Sequence, residues 1–131
     1  NYPLFVQNFI PILKGKKVVL VCSENAKINQ MGFDIIKDFR VGKNCIVNDH
    51  HLIEEISQWI FENEIEDHVF LFSASSLSEV LIHNLFKSSQ DNTYIDIGTT
   101  LHPYMGLDIA RDYLKAYHHN LPHPDLRSSC V

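Results

Sequence analysis

The fold of this chain is decided by the stretch from Val69 to His102, VFLFSASSLSEVLIHNLFKSSQDNTYIDIGTTLH. Four apolar residues followed by serines, Val69–Phe72, predict a strand that is buried on both faces. Ser76 and Glu79 have the spacing of a capping box, and apolar residues recur at helical spacing after them. A second strand, Thr93–Ile97, comes next. Two strands joined by a helix of this length predict a parallel βαβ unit with a right-handed crossover.

Patterns outside this stretch extend the same fold. The remaining elements that the sequence predicts are a strand at Val18–Cys22, a brief helix at Phe33–Lys37, a strand at Asn44–Val47, a helix at Leu52–Ile60 and a helix at Leu107–His118. Asn48 or Asp49 is the expected cap of the helix that begins near Leu52. About four mainly parallel strands with intervening helices predict a Rossmann-like three-layer α/β domain.

The length of 131 residues predicts a single domain. We expect residues 1–14 to be a lead-in arm or short helix, 15–118 the core and 119–131 a flexible tail. A hydrophobic content of 45% is enough for a packed core. Because the chain does not begin with Met, we expect it to be a piece of a longer protein. Its oligomeric state is left open by the sequence.

The net charge and the cysteine spacing indicate which partners and which cellular compartment to expect. A net charge of −5 argues against nucleic-acid binding, which needs clustered Lys and Arg. Cys22, Cys45 and Cys130 are too widely spaced for a zinc pair or a disulfide framework, which favours a reducing, cytoplasmic location. No apolar run approaches the roughly 20 residues of a transmembrane segment.

Polar residues cluster where the strands of the predicted sheet end, which is where such folds bind ligands. The candidates are Ser23, Glu24, Ser73, Ser75, Ser76, Asp96, Gly98, Thr99 and His102. The serines and the helix N–H groups behind them could bind a phosphate, or they could only cap the helix. Asp96 could bind a ribose hydroxyl or a metal ion, or it could tie down neighbouring loop amides.

Catalytic candidates are few. Asp96 and His102 are the two catalytic candidates, and His102 could be a binding or an acid–base residue. Adjacent imidazoles such as His50 and His51 diverge at a helix start, so no metal site is predicted there. The chain contains neither G-x-G-x-x-G nor a P-loop sequence.

At VFLFSASSLSEVLIH (residues 69–83) and NTYIDIGTTLHPYMG (residues 92–106) the chain resembles the C-terminal half of a glycosyltransferase family with the type D fold. A GKKVVLV strand (residues 15–21) followed by a polar loop is also similar to that family, so the likeness covers roughly residues 15–106. The resemblance implies sugar transfer from a nucleotide-diphosphate sugar to a glycan or another hydroxyl acceptor, with Mn²⁺ or Mg²⁺ as cofactor.

The resemblance also implies which residues face the donor. Ser73, Ser75, Ser76, Asp96, Gly98 and Thr99 would lie on the donor-facing rim, with Ser23 and Glu24 beside them. The Asp-x-Glu motif that holds the metal in this family lies upstream of the region represented here. Two alternatives stay open. Tyr-Ile-Asp-Ile-Gly is similar to the glycine-rich strand of S-adenosylmethionine methyltransferases, and a non-catalytic α/β interaction module would use its exposed rim to bind a partner.

Overall fold

A computed structural model describes residues 2–118 of the chain. The described residues contain one four-stranded sheet, in which all neighbouring strands are parallel and the order is β2-β1-β3-β4. Helices flank this sheet. The predicted Rossmann-like three-layer α/β class, with about four mainly parallel strands, is therefore confirmed.

The strands are β1 (Val18–Ser23), β2 (Ile35–Val41), β3 (Val69–Phe72) and β4 (Thr93–Asp96). β3 pairs with β1 from Val18↔Val69 to Val21↔Phe72, and β4 continues the same register beside β3. The pairing of β1 with β2 shifts between Val18 and Val19. Residues 18–22 of β1 are completely buried, as a strand covered on both faces must be.

The helical segments are α1 (Tyr2–Leu4), a π-helical turn (Phe5–Phe9), α2 (Ile10–Leu13), α3 (Cys45–Asn48), α4 (Leu52–Glu62), α5 (Leu77–Ser88), a 3₁₀ helix (His102–Met105) and α6 (Asp112–His118). Residues 2–13 are thus helical, which is one of the two forms expected of the lead-in segment. The predicted tail, 119–131, lies outside the described residues, and the expectation of a single domain remains a prediction.

The described residues divide into two compact units. The sheet unit comprises residues 17–24 and 35–98. The terminal unit comprises residues 2–16, 25–34 and 99–118. Both are described below, each by itself.

The core of the sheet unit lies between one face of the sheet and two helices. The sheet contributes Val19, Val21, Phe39, Val41, Phe70 and Phe72; α4 contributes Leu52, Ile56 and Ile60, and α5 contributes Leu77, Leu81 and Leu85. Each buried leucine or phenylalanine contributes roughly 1.5–3 kcal/mol of transfer free energy. Trp59 packs edge-on against Phe39 and Phe70, which joins α4 to two strands. These contacts fix the strand ends that carry the candidate site.

The second strand is not where the sequence predicted it. β2 is Ile35–Val41, so the expected helix at Phe33–Lys37 is wrong, and Asn44–Val47 falls mostly in α3. The apolar run that suggested a strand is exposed at Val47, with 74% of its surface accessible. β2 instead alternates polar Asp38 with buried Phe39, because an edge strand with a single neighbour needs only one buried face.

Helix starts also differ from the expected caps. α5 begins at Leu77 as predicted, but Ser76 makes no side-chain cap; the hydroxyl of Ser78 accepts the N–H of Ala74 at 3.0 Å instead. Asp49 does not cap α4, because its carboxylate accepts the N–H of Gly42 at 3.1 Å. A loop amide outside the helix thus takes the carboxylate that was expected to cap α4.

The last helix is shorter than the prediction. α6 begins at Asp112, whereas residues 107–110 carry no regular structure. Gly106 turns the chain before this segment, with a φ of +68°. None of the helices in the described residues is long and apolar enough to cross a membrane.

Candidate functional site

The candidate site lies at the carboxyl edge of the sheet, where β1 and β3 lie side by side. From β1 the chain moves outward to β2 on one side, and β3 and β4 follow on the other side. This reversal makes the gap between β1 and β3 a topological switch point, the place where open α/β sheets bind ligands. Ser23 ends β1 and Ser73 follows β3, so the predicted residues flank this gap.

Ser73 connects two strands and a loop at the carboxyl edge of the sheet through hydrogen bonds. It is 8% exposed; its N–H donates to the carbonyl of Val21 at 2.8 Å, and its hydroxyl donates to the carbonyl of Gly98 at 2.7 Å. The side chain therefore joins the end of β3 to the loop after β4. This bond to Gly98 is neither of the two roles expected for the serines, phosphate binding and helix capping.

Ser75 and Ser76 are the exposed part of the turn. Ser75 has a φ of +51°, a left-handed conformation that turns the chain into α5. The N–H groups and hydroxyls of Ser75 and Ser76 make no hydrogen bond to any residue that the structure describes. Four donors consequently face solvent beside the first turn of α5, where the helix dipole favours negative charge.

The turn is held from beneath by buried groups. Ser78 is completely buried and accepts the Ala74 N–H, and the thiol of Cys45 donates to the Ala74 carbonyl at 3.3 Å. Both backbone groups of Ala74 are thus fixed. A turn held in this way keeps the donors of Ser75 and Ser76 in place before any ligand arrives.

Asp96 closes a local turn at the end of β4. Its Oδ1 accepts the N–H of Gly98 at 2.9 Å, and the side chain is exposed. The bond is the loop-amide role that the sequence left open as one alternative. Gly98 has a φ of +51°, and a Cβ placed there would have no atom within 4 Å, so the space above it is open.

Ser23 and Glu24 lie on the β1 side of the gap. The Ser23 carbonyl accepts the guanidinium Nη1 of Arg40 at 2.9 Å, and Arg40 is held in turn by Asp38 at 2.6 Å. The backbone N–H of Glu24 donates to Val41, and its exposed carboxylate lies beside Gly42. A carboxylate on this rim opposes the binding of a phosphate that comes close to it.

Lys43 is a candidate that the sequence reasoning missed. It follows β2 at the carboxyl edge, it is exposed, and it forms no ion pair within the described residues. It stands two positions before Cys45, whose thiol contacts the serine turn. A second strand placed at residues 35–41 puts Lys43 just after a strand end, where ligands bind. The sequence predicts that strand at residues 44–47 instead, so Lys43 is not among the predicted candidates.

Cys22 is a buried thiol near the end of β1. Burial raises the pKa of its thiol to about 11, against a smaller lowering by Arg40. A thiol in that state is protonated at neutral pH and unreactive. Cys22 and Cys45 are both free and buried.

Thr99 and His102 belong to the terminal unit. The hydroxyls of Thr99 and Tyr113 are 3.1 Å apart. Burial lowers the pKa of His102, while a hydrogen bond to the backbone of Asp108 and the charge of that carboxylate oppose the change. A half-buried, neutral imidazole can accept a proton, which keeps His102 a candidate base.

The terminal unit also contains a hydrogen-bonded aromatic cluster. The hydroxyl of Tyr2 donates to the carbonyl of Thr100 at 2.6 Å and lies 3.1 Å from Nε2 of His118. Because the single proton of Tyr2 is used on Thr100, Nε2 of His118 must carry the proton that joins the two rings. Nδ1 of His118 is then a buried acceptor with no partner in the described part of the chain, and burial lowers the pKa of this ring.

A divalent metal does not fit the described residues. They contain no group of three or more His, Cys, Asp or Glu side chains that could hold one. Asp96 is bonded to a loop amide, and Nε2 of His51 lies 3.9 Å from Glu55 rather than beside other metal ligands. Any Mn²⁺ or Mg²⁺ would therefore need ligands from elsewhere.

Comparisons with models of known protein families, with curated proteins and with solved structures found no match.

Proposed function

We propose that the sheet unit binds the diphosphate of a nucleotide sugar at the switch point between β1 and β3, as part of a glycosyltransferase that moves the sugar to a glycan or another hydroxyl acceptor. The observation that carries the proposal is the strand order β2-β1-β3-β4, which puts the serine turn at that point. The free donors of Ser75 and Ser76 supply hydrogen bonds to phosphate oxygens, and Lys43 supplies positive charge.

In this proposal the described residues bind and orient the donor. Phosphate oxygens need several donors that are fixed in advance, and the turn held by Ser78 and Cys45 meets that requirement. The Mn²⁺ or Mg²⁺ that the resemblance implies would take its ligands from outside the described residues, so no step is assigned to it. The cytoplasmic location that the cysteine usage favours is also part of the proposal.

The methyltransferase alternative is less well supported by the geometry. Its glycine-rich strand would correspond to β4, but β4 is the edge strand of the described sheet, and Gly98 does not lie at the switch point. The other alternative is a non-catalytic interaction module, which should bind neither a nucleotide sugar nor the methyl donor.

The test is the thermal unfolding of the chain with UDP-sugars, measured with and without Mn²⁺. A ligand at about 100 times its Kd adds about 2.7 kcal/mol, which raises the Tm by several degrees. S-adenosylmethionine is the control ligand. A chain whose Tm responds to no nucleotide sugar would contradict the proposal, and a response to the methyl donor alone would favour the alternative.

A pair of variants ties any binding to the serine turn. Ser75→Asp places a negative charge among the proposed phosphate donors and should weaken nucleotide-sugar binding about tenfold or more. Ser75→Asn is the matched control, because both residues tolerate a positive φ but only aspartate is charged. Calorimetric titration measures both affinities. Equal affinities in the two variants would show that the phosphates do not bind at this turn.

A further inference from the structure

The outer face of α5 forms an open groove on the sheet unit. Five side chains of this helix line it: Glu79, Ile82, His83, Phe86 and Lys87. The groove has a volume of ≈ 480 Å³. Phe86 is 52% exposed, and Ile82 is half-buried beside it at a spacing of one helical turn. Ile82 packs partly against the core of the sheet unit, and the exposed ring of Phe86 leaves apolar surface in solvent beside it.

Charges lie at the two ends of this groove. Glu79, His83 and Lys87 are spaced four residues apart, so they form one row along the helix. The ends of the row are eight residues apart, about 12 Å along the axis, which is too far for Glu79 to pair with Lys87 of the same helix. Neither charge takes part in the ion pairs of the described residues, which join Arg40 to Asp38 and His51 to Glu55.

We propose that α5 is the contact through which two copies of this chain associate, with the two helices antiparallel about a two-fold axis near His83. Reversing one helix places Glu79 of each copy opposite Lys87 of the other, so the ion pair forms twice. Ile82 and Phe86 of the two copies then bury their exposed surfaces against each other. In an isologous interface both copies use the same surface, so that surface must be complementary to itself. The row from Glu79 to Lys87 meets this requirement, and we therefore assign the groove to a second copy of the chain.

The size of the contact sets its strength. A single pair of helices buries less than the roughly 1,200 Å² of a stable complex, so the dimer is weak, with a Kd in the micromolar to millimolar range. Glu79 lies in the first turn of α5, close in sequence to the serine turn. The inference is tested separately from the nucleotide-sugar proposal, because self-association is measured without nucleotide.

The test is charge reversal followed by sedimentation velocity over a concentration series of the full chain. Glu79→Lys and Lys87→Glu each replace two attractive pairs by two like-charge contacts, and each should weaken self-association about tenfold or more. An equimolar mixture of the two variants should associate as a heterodimer, because each then presents the charge that the other lacks. The double variant E79K/K87E should associate like the original chain.

The control is Glu54→Lys, which makes the same charge change at an exposed position of α4. It should leave the association unchanged. An original chain that stays monomeric up to about 1 mM, at the weak limit of specific affinity, would overturn the inference. So would a mixture of the single variants that fails to associate, or a Glu54→Lys variant that weakens the dimer as much as Glu79→Lys does.

Discussion

Single residues join the loops at the carboxyl edge of the sheet. Both backbone polar groups of Gly98 are occupied: its N–H by Asp96 and its carbonyl by Ser73. These two bonds hold Gly98 in the left-handed region. A residue with a Cβ can occupy this space only with backbone strain, since the surroundings are open but the φ is unfavourable.

Gly98→Ala should therefore lower the free energy of unfolding by about 1 kcal/mol through strain alone. Gly15→Ala is the matched control, because its φ lies outside the left-handed region and a Cβ there would also meet no atom within 4 Å. It should change stability by less than about 0.5 kcal/mol. Urea unfolding measures both, and equal losses at the two glycines would show that the positive φ is not the cause.

Elements of the sheet unit are joined at the opposite edge by one buried amide. Asn92, just before β4, accepts the N–H of His68 at 2.9 Å and donates to the carbonyl of Ile65 at 2.9 Å. It also donates to the Ser89 hydroxyl at 3.2 Å. The loop after α4 is thereby fixed to the loop after α5, and this fixes where β3 and β4 begin.

Asn92→Ala should destabilise the protein by about 2–4 kcal/mol, because it leaves a buried N–H and a buried carbonyl unpaired. Asn63→Ala removes an exposed amide that donates to the Trp59 carbonyl, and it should cost less than about 1 kcal/mol. The denaturant midpoints of the two variants give the comparison. A loss at Asn92 no larger than that at Asn63 would contradict the role assigned to the buried amide.

How well an element could be predicted depended on its environment. β1 and β3 are buried on both faces, so their apolar runs were recognised, and the start of α5 was placed correctly. β2 was missed, because a half-buried edge strand alternates polar and apolar residues over a short span that also suits a helix. The short apolar run at Ile46 and Val47 was misleading, since these side chains are exposed.

At the scale of the whole molecule, we expect His102 and His118 to make stability depend on pH. Burial lowers the pKa of both His102 and His118 in the folded chain. The unfolded chain binds protons near pH 6.5, while the folded chain resists them. The stability from these groups is therefore present above about pH 6.5 and is lost as the pH falls through the lowered folded pKa values.

His118→Gln should make stability less dependent on pH between about 5 and 7, because glutamine keeps an N–H donor for Tyr2 but does not titrate. Urea unfolding at several pH values measures the slope, with exposed His50→Gln as the matched control. NMR titration of the His118 ring in the original chain is a second readout. A folded pKa at or above 6.5, or an unchanged slope in His118→Gln, would contradict the prediction.

The sequence by itself determined the α/β class, the parallel arrangement and the strands that end in polar turns. These follow from hydrophobic periodicity and helix spacing, which are local properties of the chain. Only the tertiary structure decided which strand lies beside β1 and which site candidates are free. Ser73 and Asp96 are engaged with Gly98, whereas the donors of Ser75 and Ser76 face solvent. Residues 73 and 98 are far apart in the chain, so only folding sets this bond.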